Sequence, residues 1–194
     1  MQNSISQPNE LLGGYFTKLS QALDLVDQTE LGMLFSTLLE LRRHNRQLFI
    51  AGNGGSASTA QHFAIDLGVG GINRHSIIRA ISLSDNQSAI TALANDIDFR
   101  YVFSSLLTVF GNQNDLLLVI SASGNSENLI EAVNKAKSLG IQTFGMLGFD
   151  GGVLRGICDQ SILIETRKGE YGIVEDIHLS ICHNLTEALR GTAE

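Results

Sequence analysis

The stretch RQLFIAGNGGSASTAQHFAIDL, residues 46–67, changes character twice along its length. A continuous apolar run, RQLFIAG (46–52), passes into a loop built from glycines and an asparagine. The loop then leads into SASTAQHFAIDL, whose apolar residues recur at helical spacing. A strand that is apolar on both faces, followed directly by a helix, belongs to a parallel sheet covered on each side.

Four further apolar runs repeat the theme: RAISL (79–83), DLLLVIS (115–121), QTFGMLG (142–148) and SILIE (161–165). Segments with helical spacing lie between most of them: VFSSLLTVF, SENLIEAVNKAKSLG and GVLRGIC. A last helix, GIVEDIHLSICHNLTEALR, closes the chain. Each crossover between parallel strands is expected to be right-handed. In front of the first strand, LLGGYFTKLSQALDLV and ELGMLFSTLLELRR predict a helical pair with a break near Asp27 to Glu30. Pro8 falls at the expected start of the first of these helices. With no linker and no repeat, the 194 residues read as one domain, 1–194, carrying an N-terminal helical extension over about 8–44.

Composition narrows the function classes. Hydrophobic residues make up 43 %, enough for a full core, and the formal net charge is -7. No basic tract offsets that charge, so no nucleic-acid partner is expected. Neither a secretory signal nor an apolar stretch of spanning length is apparent, which predicts a cytoplasmic chain with no membrane partner. Cys158 and Cys182 lack metal-ligand spacing and read as small core residues.

Two polar loops follow strands and precede helices: GNGGSAST after RQLFIA, and SASGNSEN after DLLLVI. Ligands of open α/β sheets bind beyond the C-terminal strand ends, and helix N-termini there receive anions. Ser56, Ser121, Ser123 and Ser126 add hydroxyl donors. Serines also cap helices, which is the plainer reading of each loop alone. Two such loops together favour a phosphate or polyol pocket. Neither is a nucleotide motif, because the Walker lysine and the GxGxxG spacing are both missing.

His62 and Asp66 stand four apart on one helical face, as a metal pair, an acid/base pair or a plain helix pair. The last helix adds His178, His183 and the neighbouring carboxylates Glu175 and Asp176. Helical spacing aligns Asp176 with His183 slightly better than Glu175, so geometry on its own leaves the two open.

The motifs GNGGSASTAQHFAIDL (52–67), SLSDNQSAITALANDIDF (82–99), ISASGNSENLIEAV (120–133), LGFDGG (147–152) and EDIHLSICHNLTE (175–187) together resemble the sugar-isomerase (SIS) domain family, in its heptose-phosphate isomerase branch. The resemblance spans almost the whole chain. It implies a three-layer α/β fold with a five-stranded parallel sheet in flavodoxin-like order behind an N-terminal helical pair. It also implies a homotetramer with sites at subunit interfaces. The implied reaction is aldose–ketose isomerisation of sedoheptulose 7-phosphate to D-glycero-D-manno-heptose 7-phosphate.

Carried over by position, the resemblance places the phosphate on Ser121, Ser123 and Ser126. Asn53, Gly54, Gly55 and Ser56 would hold phosphate or sugar from the first loop, and Asp96 and Glu175 would contact substrate. The family's Zn2+ constellation falls on His62, Asp66, Glu175 and His183, with Asp66 as the candidate base and His183 as the candidate acid. Asp66 stands where the family commonly has Glu, and Glu175 where it commonly has Gln. Ala122 replaces a frequent threonine. GVGGINRH (68–75) replaces a more basic stretch, with Arg74 or His75 as substitutes for the missing charge. The same family includes a non-enzymatic tetrameric protein that binds a replication initiator, as well as isomerases and sensors of other sugar phosphates. The retained histidines and carboxylates favour an enzyme.

Overall fold

The computed structural model describes residues 8–74 and 76–192. Its five strands are β1 (Gln47–Gly52), β2 (Arg79–Ser82), β3 (Leu116–Ser121), β4 (Gln142–Gly148) and β5 (Gln160–Ile164). They form one sheet in the order β2-β1-β3-β4-β5, parallel at every pairing. This is the three-layer arrangement expected from the sequence.

The helices are α1 (Pro8–Leu23), α2 (Gln28–Arg43), α3 (Gly55–Leu67), α4 (Gln87–Asp96), α5 (Val102–Phe110), α6 (Glu127–Ser138), α7 (Gly152–Ile157) and α8 (Tyr171–Arg190). Strand alternation sorts them into two layers. Leu48, Ile50, Leu118 and Ile120 point to one face, where α2, α3 and α8 bury Leu34, Leu38, Phe63, Ile177 and Leu185 against them. Phe49, Ala51, Leu117 and Val119 point to the other, against Val102, Phe103 and Leu107 of α5 and Leu129, Ala132 and Val133 of α6. Period-two alternation in strands buried on both sides produces both cores from the same runs.

The break between the first two helices covers residues 24–27, a little ahead of the Asp27 to Glu30 expected, because α2 already begins at Gln28. Asp27 caps α2, its carboxylate accepting from the N–H groups of Thr29 at 2.7 Å and Glu30 at 3.1 Å. Helix α1 is fastened to the start of α8 by two polar contacts. The Tyr15 hydroxyl donates to Asp176 at 2.7 Å, and Lys18 pairs with Glu170 at 2.7 Å. Helix α4 is not announced by apolar spacing, because none of its residues is fully buried. Both cysteines are free thiols within the fold, and burial, assisted by Asp159, pushes Cys158 up to about 12.

Candidate active site

The register of the sheet brings the two polar loops together. Gly52, the last residue of β1, pairs with Ile120 of β3, so the chain leaves both strands side by side. Each loop then starts a helix. Neither Gly54 at the N-cap of α3 nor Ser126 at that of α6 makes a side-chain capping bond. Their first-turn N–H groups therefore lack the cover that Asp27 gives α2 and Asn86 gives α4. For Ser126 the plain capping reading does not hold.

In the second loop, Ser121 Oγ accepts from Gly124 N at 3.0 Å and Ser123 Oγ accepts from Asn125 N at 3.3 Å. Both hydroxyls spend acceptor capacity on the turn, which leaves their O–H groups to donate outward. Gly124 makes this turn possible. Its φ is +63°, and a Cβ there would collide with the Gly151 carbonyl.

In the first loop, Asn53 faces Asn128, the second residue of α6. Each side-chain amide donates to the other's oxygen at 2.9 Å. Asn128 is 3 % exposed. It was not anticipated as a site residue, although a polar residue four before Ala132, on the core-facing stripe of α6, is a signal of sorts. Ser56 is buried at the start of α3.

Helices α3 and α8 pack side by side and carry the remaining candidates on their common seam. His62 and His183 approach with Nε2 atoms 3.3 Å apart, and His62 Nε2 lies 3.5 Å from Asp66 Oδ2. Ligand atoms of His62, Asp66 and His183 all fall within 4.8 Å of one another. A tetrahedral ion with metal–nitrogen bonds of about 2.0–2.1 Å has ligand atoms about 3.3 Å apart, so the two imidazoles fit such an ion. Two His and one carboxylate, with a fourth position open, is also a donor set used by catalytic zinc.

Glu175 is not in that cluster. Its carboxylate lies against the start of α3, where a Cβ on Gly55 would sit 2.5 Å from Glu175 Oε2. There it faces the positive end of a helix, which favours a carboxylate. Asp176, the alternative that helical spacing could not dismiss, is taken up by Tyr15. The hydrogen bond that the Tyr15 hydroxyl donates to the Asp176 carboxylate raises its pKa to about 12.

Asp96 stands apart from this arrangement. It is the last residue of α4, exposed, and accepts from Asn95 Nδ2 at 2.8 Å. A carboxylate at a helix C-terminus opposes the dipole, so helix stability does not account for it. His75 and the Arg74 side chain lie outside the described residues. His178, by contrast, is buried in the core with neither ring nitrogen hydrogen-bonded. Burial pushes its pKa down to about 4, against a smaller opposing pull from the Leu147 main chain.

Known proteins share both the sequence and this frame. The SIS domain model matches residues 14–148. Phosphoheptose isomerase of Chlorobaculum parvum is 35 % identical over 92 % of this chain and 88 % of its own. Phosphoheptose isomerase of Helicobacter pylori is 38 % identical over 78 % of each chain. The solved structure of phosphoheptose isomerase from Neisseria gonorrhoeae superposes with a TM-score of 0.86 at 26 % identity, covering 95 % of this chain and 99 % of that one. The chain belongs to the SIS-domain family and, within it, to the phosphoheptose isomerases.

Proposed function

We propose that this protein isomerises sedoheptulose 7-phosphate to D-glycero-D-manno-heptose 7-phosphate at the seam of α3 and α8. One observation carries the site reading: α3 begins at the polar loops and delivers His62 and Asp66 to His183 seven residues further on. Seven residues of helix span about 10 Å. A substrate whose phosphate is held at the loops therefore presents its far end to the histidines and Asp66.

The phosphate is received by the hydroxyls of Ser121, Ser123 and Ser126 and the open N–H groups of α6. Gly54, Gly55 and Ser56 supply main-chain and hydroxyl contacts from the first loop. At the far end, Asp66 removes a proton from C1 of the ketose, and the electron pair forms the C1–C2 double bond of a cis-enediol. His183 delivers a proton to the carbonyl oxygen at C2. The O1 proton then passes to His183, restoring the proton it gave up, as the C1 carbonyl forms, and C2 receives the proton held by Asp66. Glu175, which the family resemblance groups with the metal site, lies towards the polar loops at the start of α3, while His62, Asp66 and His183 would hold Zn2+. Bound there, the ion would polarise the substrate oxygens and favour developing negative charge.

The site is open in a single chain. His62 is 48 % exposed at its side chain, and Ile65, Val69 and Ile72 beside Asp66 are all more than half exposed. Leu12 and Phe16 of α1 are exposed as well. Apolar surface of this extent supports a homotetramer in which a neighbouring subunit covers the seam. The function is tested by offering the protein sedoheptulose 7-phosphate beside five- and six-carbon ketose phosphates. The heptose phosphate is expected to turn over fastest, and a clear preference for a shorter sugar would reassign the substrate.

A further inference from the structure

Asn53 and Asn128 are 75 positions apart and belong to different loop–helix units, yet they form a closed pair of 2.9 Å hydrogen bonds. The sheet does not need this pair. β1 and β3 are already held by their ladder from Leu48 with Leu116 to Gly52 with Ile120. The clasp acts one step beyond the last rung, where the chains leave the sheet as the two polar loops.

Other bonds pin the outer flanks of these loops. Ser84 Oγ donates to the Gly52 carbonyl at 3.2 Å on one side. On the other, Asn125 donates to the Ser123 carbonyl at 2.8 Å and accepts from Val153 N at 3.1 Å. The Asn53–Asn128 pair is the crosspiece between the two halves. Asn128 is also almost fully buried on the core side of α6, where an unpaired amide would be costly.

We infer that Asn128 is a positioning residue: through Asn53 it fixes the gap between the two loops, and with it the length of sugar phosphate that the site accepts. The inference rests on the sugar-phosphate reading of the site. A ligand bonded to both loops senses their spacing, whereas a phosphate seated on the β3–α6 loop alone does not. The clasp therefore separates binding of the whole substrate from binding of its phosphate.

The test compares wild type, Asn128→Ala and Asn128→Asp. The aspartate can still accept from Asn53 but cannot donate back. Binding of sedoheptulose 7-phosphate, of a six-carbon ketose phosphate and of inorganic phosphate is measured by calorimetry, with kcat and KM alongside. Loss of both bonds is expected to weaken heptose phosphate binding and raise KM roughly tenfold. Affinity for inorganic phosphate should stay within about twofold, and kcat within about threefold. Asn128→Asp falls between, preference for seven over six carbons shrinks, and Asn53→Ala adds little to Asn128→Ala. Inorganic phosphate weakening in step with the sugar phosphate, or unchanged binding in folded Asn128→Ala, would overturn the inference. A wild type that binds heptose phosphate without turning it over would instead refute the isomerase reading and leave the clasp to be judged by the binding data.

Discussion

His62 and His183, 121 residues apart in sequence, meet with their Nε2 atoms 3.3 Å apart on the seam of two parallel-running helices. Asp66, one turn beyond His62, completes a three-member donor set. Each member reaches the seam for a local reason. The face of α3 that carries Ala60, Phe63 and Ala64 is buried, which turns His62 outward. Burial of Ile181, Cys182 and Leu185 on α8 does the same for His183.

This geometry predicts metal binding that depends on both histidines. The wild type should retain about one Zn2+ per site after dialysis, whereas His62→Ala and His183→Ala should retain almost none by elemental analysis. At about one hundred times its dissociation constant, Zn2+ should stabilise the wild type by about 2.7 kcal/mol, seen as a higher Tm. Equal stabilisation of both variants would mean that the ion binds elsewhere.

The β3–α6 loop proposed to seat the phosphate makes a separate prediction. Removing one hydroxyl with Ser126→Ala should weaken inorganic phosphate binding about tenfold, since a hydrogen bond to a charged group is worth about 1.5–3 kcal/mol. Stability should change little, because Ser126 makes no capping bond. A large drop in Tm with phosphate affinity intact would make Ser126 a structural residue.

Gly55 offers a way to move Glu175 without touching it. Gly55→Ala puts a methyl group where the carboxylate now lies, 2.5 Å from Oε2. Alanine is the better helix former by up to about 1 kcal/mol, so the helix itself should not suffer. The expected result is a fall in kcat/KM of tenfold or more with Tm unchanged or raised. Full activity would remove Glu175 from the working site.

Acid sensitivity follows from His178. Burial holds its pKa at about 4 in the folded chain, below the ordinary value of 6.5. The unfolded chain takes up a proton first, so the contribution to stability is complete above pH 6.5 and is lost as the pH falls towards 4. The loss amounts to about 3 kcal/mol at most. His178→Phe should flatten the decline in Tm between pH 7 and 4.5. An equally steep decline in that variant would place the acid sensitivity on other groups.

The parallel sheet is legible because its strands are short apolar runs closed by glycine or polar residues, whereas the strand order comes from the family resemblance alone. The loops are legible because they fall at strand ends. Other features depend on contacts that no local pattern contains. Helix α4 buries no residue fully and so leaves no stripe. The choice between Glu175 and Asp176 turns on Tyr15, which comes from a helix 161 residues away. The family resemblance makes Asn53 a substrate contact, but its side chain is engaged by Asn128. Family resemblance groups Glu175 with His62, Asp66 and His183, whereas within one chain it lies at the start of α3, nearer the loops.

Proton transfer between neighbouring carbons at this seam is the central step of the proposed reaction. The measurement that tests it most directly is proton NMR of sedoheptulose 7-phosphate in D2O with Zn2+-loaded protein. The expected result is the aldose heptose 7-phosphate, with turnover lost in Asp66→Ala and His183→Ala while both stay folded. C2 carries deuterium in the molecules whose proton on Asp66 exchanged with solvent, and the hydrogen from C1 in the rest. Turnover that persists in those two variants, or a folded and Zn2+-loaded wild type that leaves the heptose phosphate unchanged, would contradict it.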